Sequence, residues 1–386
     1  MEKAGINSNQ VRWARERAGL QLSDLSKALQ LAEDKIAAWE TGEEQPTFRQ
    51  AQKLAERLRV PLPYLFLPSP PEENSPIADL RTLRNEARAT FSLDFKEVLN
   101  DSLQKQNWYR EYLQNTGQAS PLEFIGKYSV ESDVKTVARD IQAVLGLDEE
   151  LRKSARSKSD FLSKLVQQAE EAGILILISG VVKNNNHRKL TVEEFRGFVL
   201  SDAVAPLVFI NGNDTEAAKL FTFVHELAHL WVGASGVSNV EVKSAVENDF
   251  DQLERFCNQV AAEVLIPAED FQSIWQSDLS LEENLQRYRH YKVSDLVLLI
   301  RARQLRRISS TEFQQAYATR ISWYKNRKRS SGGNFKNTLP ARNSKLLTSA
   351  LIAATLEGQT LYRDAARMLN VKVETLKKVA DHLEIH

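Results

Sequence analysis

Sulfur is almost missing from this chain of 386 residues, which has one cysteine, Cys257, and two methionines. A single cysteine excludes an internal disulfide framework and any zinc ribbon built on cysteines. Net charge is missing too: Lys+Arg and Asp+Glu number 51 each, so bulk charge neither demands nor excludes a nucleic-acid partner. No run of about 18 apolar residues occurs, and no transmembrane helix is expected. The opening residues MEKAGINSNQ lack the apolar core of a secretory signal. The expected compartment is the cytoplasm, with no membrane partner. Histidine is scarce as well, at six residues, so two of them standing four apart carry weight.

What is present is ordinary globular material, 42% hydrophobic and 26% charged, in a length that suits two or three domains. The first 66 residues read as short helices, Val11–Gly19, Ser23–Leu29, Glu33–Thr41 and Phe48–Arg59, broken at Gly19, Gly42 and Pro46. Pro68–Pro76 carries four prolines in nine residues and reads as an extended connector. Helical periodicity follows over Ile77–Asn115, Asp133–Leu145 and Asp160–Ala172. The period then changes. Ile174–Val182, Phe198–Leu200 and Pro206–Ile210 are short runs rich in Ile, Val, Leu and Phe, expected as strands. Thr215–Val232 and about Phe250–Ile266 are helices, ended by Gly233 and Pro267. Leu281–Ala318 is helical again, and Ser344–His386 reads as two or three short helices. The expected class is α+β, mostly helical. Expected boundaries are 1–66, a Pro-rich linker 67–79, a central domain 80–275, a helical extension with a basic stretch 276–330, and a small helical domain 331–386.

The segment Phe221–Trp231 reads FTFVHELAHLW. Residues four apart share a helix face, so His225 and His229 can offer two imidazole nitrogens to one zinc ion at about 2.0–2.1 Å. Zinc lowers the pKa of a bound water towards about 7, and a neighbouring carboxylate can take its proton. Glu226 is placed for that role, the catalytic base of a hydrolase. In a chain so poor in histidine the pattern arises by chance in fewer than about one case in a hundred. The plainer alternative is a pair of surface histidines. Against it, Phe221, Phe223, Val224, Leu227, Leu230 and Trp231 make the helix apolar on several sides, and buried imidazoles need polar partners. A catalytic zinc usually takes three protein ligands. Downstream, Glu254 could complete the metal shell, and Asn258, four residues on, could hydrogen-bond a ligand histidine and fix its tautomer. Glu247, Asp249, Asp251 and Glu263 compete with Glu254. An oxyanion stabiliser is not singled out among Tyr288, His290, Tyr291, Arg301 and His187.

Several further pieces match a known pattern: Phe195-Arg-Gly-Phe198, Ser201-Asp202, Phe209–Asp214, His225-Glu-Leu-Ala-His229 and the Glu254–Pro267 helix. With them, residues from about 170 to 270 resemble the ImmA/IrrE family of zinc metallo-endopeptidases. The resemblance implies Glu254 as third ligand and a gluzincin-like core of helices against a small mixed sheet. It also implies that the strands Phe195–Leu200 and Pro206–Ile210 offer an edge to an extended peptide. Cys257 stands where that family often has a small residue and is read as core packing.

Residues 9–66 resemble an XRE-type helix-turn-helix domain of five helices, on Leu20–Ser26, Ile36–Gly42, Pro46-Thr47 and the apolar stripe of Lys53–Leu58. Its third helix, about Glu33–Glu40, would enter a major groove, with Gln21, Lys35 and Arg49 as candidate DNA contacts. The charges argue otherwise. Glu33-Asp34 and Glu43-Glu44 flank that helix, and residues 1–64 hold ten Lys+Arg against nine Asp+Glu. A DNA reader usually shows a clearer basic patch, so protein docking or dimerisation is the alternative.

Residues 301–345 hold twelve Lys+Arg and one acid, Glu312. Within them Trp323–Arg329 mixes aromatics with cations, as a nucleic-acid patch or a solvated linker. Leu361–Leu376 has helix–turn–helix spacing with Asn370 at the turn, as a second recognition unit or as a packing pair. Ser331–Asn334 and Glu357–Ala365 are similar to a longer subset of the ImmA/IrrE family, often associated with toxin–antitoxin-like pairs and PIN-like nucleases; only the resemblance implies this. Two functions follow. One is a zinc endopeptidase that cleaves a specific cytoplasmic, repressor-like protein and binds DNA through residues 1–66. The other is an antitoxin or transcriptional regulator with a non-proteolytic zinc site. Expected partners are a repressor or toxin, DNA and a second copy of the chain.

Overall fold

The computed structural model describes residues 3–71, 91–238, 252–326 and 335–383. These divide into two compact units, one ending at Glu97 and the other starting at Val98. No helix of the described residues is long and apolar enough to cross a membrane.

The first unit holds α1 (Ser8–Arg17), α2 (Leu22–Leu29), α3 (Glu33–Thr41) and α4 (Phe48–Leu58). The fifth helix is only a 3-10 turn, Leu62–Phe66. Pro61 and Pro63 lack the N–H groups that a longer helix would use. Val11, Leu25, Ile36, Trp39, Leu54 and Leu58 are fully buried and form the core. Buried Glu40 accepts from Arg15 at 2.6 and 2.9 Å, a bidentate pair tying α3 to α1. The α2–α3 turn passes through Gln30 in the left-handed region, φ 56.

The second unit opens with the long α5 (Leu93–Asn115), whose first residues belong to the first unit, then α6 (Val134–Val144), α7 (Glu149–Ser154) and α8 (Lys158–Glu171). Strands β1 (Leu175–Ser179), β2 (Val181–Val182), β3 (Asn185–Lys189), β4 (Gly197–Leu200) and β5 (Leu207–Asn211) precede α9 (Glu216–Val232), β6 (Gly236–Ser238) and α10 (Gln252–Leu265). Helices α11 (Ala268–Ile274), α12 (Leu281–Arg287), α13 (Asp295–Gln304) and α14 (Ser310–Asn326) follow. Last come α15 (Phe335–Asn343), α16 (Lys345–Leu356), α17 (Tyr362–Met368) and α18 (Val373–Leu383).

The sheet has the order β1-β5-β4-β6. β1 runs parallel to β5, and β4 runs antiparallel to both β5 and β6, so the sheet is small and mixed. Every residue of β4 and β5 is buried, which explains their unbroken apolar runs. Neither is an edge. β5 lies between β1 and β4, and β6 pairs with β4 from Gly197 to Val199, so the expectation of a free edge on these two strands is corrected: among the described residues the outer strands are β1 and β6. Below the sheet, α9 packs against β4 and β5 and is flanked by α10, α6 and α13.

Candidate metal centre

Helix α9 starts where Thr215 caps it, its hydroxyl accepting from the Ala218 N–H at 3.2 Å. It ends at Gly233, φ 73, where an added Cβ would meet the Gly126 Cα at 3.0 Å; both the left-handed turn and the close approach call for glycine. Phe223, Val224, Leu227, Leu230 and Trp231 are fully buried around its circumference. The Trp231 indole N–H donates to Asp140 at 2.8 Å, and its ring stacks on Phe124. The helix is thus held by packing on all sides, which fixes the direction of the two histidines.

His225 and His229 bring their Nε2 atoms to 3.0 Å. From α10, Glu254 sets Oε2 3.2 Å from the first and Oε1 3.2 Å from the second. One ligand atom from each of the three lies within 4.8 Å of the others, and all three residues are buried. Burial opposes ionisation of Glu254, but the two histidines, by hydrogen bonding and charge, hold its carboxyl well below the usual carboxylate range. Two imidazole nitrogens and a carboxylate, turned to one point, are the ligand types of a catalytic His2Glu zinc site. The residues fit a metal ion, and Glu226 is fully buried on the same helix beside the first ligand.

The competing acids sort themselves. Glu263, on α10, is paired with Arg301 and also accepts from the Ala268 N–H at 3.1 Å. Glu247, Asp249 and Asp251 lie outside the described residues, as do Arg327–Arg329 and Ser331–Asn334. The hydrogen bond expected from Asn258 to a ligand histidine is not made; both amide atoms are buried without a partner. Cys257 is fully buried in the main core; burial pushes its thiol up, against the opposing effect of its hydrogen bond with His229. Of the oxyanion candidates, Tyr288 donates to the Phe271 carbonyl at 2.5 Å and Tyr291 to Asp270 at 2.8 Å, while Arg301 holds Glu263. His187 and His290 are exposed.

Gly197 lies within the Phe195–Phe198 pattern, at the start of β4. A Cβ there would stand 2.7 Å from Glu226 Oε1, 3.0 Å from the Phe209 carbonyl oxygen and 3.0 Å from Thr222 Cγ2. The backbone of β4 therefore lies directly against the Glu226 carboxylate. In the first unit, Gln21, Lys35 and Arg49 are all exposed; Gln21 is the N-cap of α2, its N–H donating to Asp24 at 3.0 Å.

A buried His–His–Glu set on two packed helices beneath a small mixed sheet suggests a metallopeptidase. Comparison with known families agrees. The model of the IrrE N-terminal-like domain, Peptidase_M78, matches residues 169–303, and that of a helix-turn-helix domain matches residues 11–65. The two matches, to an XRE-type helix-turn-helix and to an IrrE N-terminal-like peptidase domain, stand in the order that the resemblance implied. A third model, of a domain of unknown function, matches residues 343–382. No curated protein and no solved structure is matched.

Proposed function

We propose that the chain is a zinc-dependent endopeptidase that cleaves one regulatory protein of the repressor type. The observation that carries this is the convergence of His225, His229 and Glu254 on one point, with Glu226 next to the first of them. The ion would be held by the Nε2 atoms of the two histidines and the Glu254 carboxylate. When bound, it supplies Lewis acidity, lowering the pKa of water and polarising the scissile carbonyl. Glu226 takes the proton of the attacking water at its carboxylate and delivers it to the leaving amine. The low-dielectric surroundings of α9 strengthen these electrostatic effects. Gly197 leaves the room in which the Glu226 carboxylate stands.

The test pairs metal analysis with cleavage. Wild type and Glu226→Gln are each expected to hold about one zinc per chain, and only wild type should cleave a repressor encoded beside it when the two are co-expressed. A second reading has its own support in the helix-turn-helix match at residues 11–65: a regulator or antitoxin of a toxin–antitoxin-like pair, its zinc structural. That reading expects Glu226→Gln to keep full biological activity while His225→Ala loses it. If Glu226→Gln behaves as wild type in the cell, proteolysis is not the function.

A further inference from the structure

The C-terminal helices match a domain family whose function is unknown. We infer that α17 and α18 form a second helix-turn-helix that binds duplex DNA, with α18 as the reading helix. This does not depend on peptidase activity.

The first argument is an internal comparison. The α2–α3 turn has Gln30 in the left-handed region, φ 56, and the α17–α18 turn has Asn370 there, φ 55. The next residue donates its N–H four residues behind that point in both: Leu31 to the Ser26 carbonyl at 3.1 Å, Val371 to the Ala366 carbonyl at 2.9 Å. Counting from the left-handed residue, three buried positions coincide. Leu25 and Ala365 stand at the same place before it, Ile36 and Leu376 after it, and Trp39 and Val379 one turn further on. Two segments with unlike sequences therefore share one helix–turn–helix frame. The turn of the second is anchored: the Asn184 side-chain amide donates to the Leu369 and Asn370 carbonyls at 3.2 and 3.0 Å, and that of Asn343 to Leu369 at 3.3 Å. On its inner side α18 packs Val379 and Ala380 against Leu339 and Ile352.

The second argument is what each frame presents to solvent. In a helix-turn-helix the outer residues at the start of the second helix meet base edges and phosphates. In the first unit these positions are Ala32, Glu33, Asp34, Lys35, Ala37 and Ala38; in the second they are Lys372, Val373, Glu374, Thr375, Lys377 and Lys378, whose three lysines are all exposed. The first set carries two acids and one cation, the second three lysines and one acid. Val373, 44% exposed, offers an apolar contact of the kind that meets a thymine methyl group. On α17, the helix that crosses the backbone in this motif, the Arg363 and Arg367 side chains are 81% and 82% exposed. Charge complementarity thus selects a polyanion, and the helix-turn-helix frame selects a duplex. The exposed apolar side chains Leu356, Leu361 and Tyr362 stand at the α16–α17 connection instead.

The test uses the full chain and a labelled mixed-sequence duplex of about 30 base pairs, titrated by anisotropy at several salt concentrations. The variants are Lys372→Ala/Lys377→Ala/Lys378→Ala and, in the first unit, Lys35→Ala/Arg49→Ala. Each phosphate contact contributes about 0.9 to the slope of log K against log salt. The triple variant should lower that slope by about 2.7 and weaken binding up to about 500-fold at roughly 0.1 M salt. The Lys35/Arg49 variant should change it little, and Glu226→Gln should bind as wild type. Lys377→Glu alone should move affinity the same way, and Lys→Arg at all three positions should restore it. The inference is overturned if wild type does not bind duplex at 50 mM salt, if the triple variant binds as wild type, or if it loses a protein partner with DNA affinity unchanged.

Discussion

Removing the metal should cost the folded chain several kcal/mol, and one ligand is enough to abolish that dependence. In the folded state three donor atoms lie within 4.8 Å, drawn from α9 and α10. In the unfolded chain His225 and Glu254 are 29 residues apart. The ion therefore binds the folded form almost exclusively, and binding is folding free energy. At a free-ion concentration of roughly 1,000 Kd the gain is about 4.1 kcal/mol. A change of 1 kcal/mol moves Tm by about 2–4 °C in domains of a few hundred residues. Chelation should therefore lower Tm by about 8–16 °C. His225→Ala should give a Tm that no longer responds to chelator or added zinc. It should also lie below that of chelated wild type, because Glu254 then loses a partner inside the protein. Glu226→Gln should keep the full response, since Glu226 is not one of the three donors. Calorimetry with and without chelator, alongside metal quantification, reads all of this. An unchanged Tm on chelation, or a His225→Ala protein that still holds stoichiometric zinc, would refute the ligand assignment.

Gly197→Ala should keep its metal yet lose about a hundredfold in cleavage rate, because the new methyl group displaces the Glu226 carboxylate; its stability should fall by about 1–3 kcal/mol from overpacking, read as a lower Tm. Arg152→Met should destabilise by about 3 kcal/mol without changing metal content: the buried guanidinium, its pKa pushed down to about 10 by burial, donates to the Tyr291, Leu265 and Val264 carbonyls, closing the end of α10. Asp202 accepts from the Ala205 and Val204 N–H groups and from Arg110, which hold its carboxyl low against the opposing effect of burial. A depressed folded pKa adds stability above the unfolded value near 3.9 that is lost as pH falls through the folded value. The acid limb of a Tm–pH curve below about pH 4 should therefore flatten in Asp202→Asn, and an unchanged limb would count against the assignment.

Much of the centre is visible in the sequence because its signals are local. The HELAH spacing, the apolar residues on every side of α9, Thr215 at one end and Gly233 at the other all act within one helix. The same holds for α2 and α3, whose turn keeps its shape although Gln30 replaces the usual glycine. What escaped depends on partners outside the element itself. β3 is a strand although Asn185–Lys189 has no apolar alternation: Lys183 and Asn184, both with positive φ, turn it back onto β2. β6 has three residues, too few for any periodicity, yet it covers β4 and removes the expected edge. Gly197 matters only because β4 passes over Glu226, a fact of packing between elements.

The choice between Glu254 and Glu263 shows most clearly why composition and spacing stop short. Both are glutamates on one helix, and both are 8% exposed. Periodicity alone assigns neither to a metal. What separates them is the proton chemistry of the partner that each meets in the fold. Glu263 faces the guanidinium of Arg301, which offers only donors, so that pair is complete and closed to a cation. Glu254 faces two imidazoles, whose ring nitrogens are metal-ligand atoms able to present lone pairs. Only the second arrangement can exchange protons for a divalent ion, with the carboxylate already ionised to receive it. Arg301 is 38 residues beyond Glu263, and no pattern within α10 announces it. Substituting Arg301 should therefore destabilise the fold without creating a second metal site, because Glu263 has no histidine pair to join it.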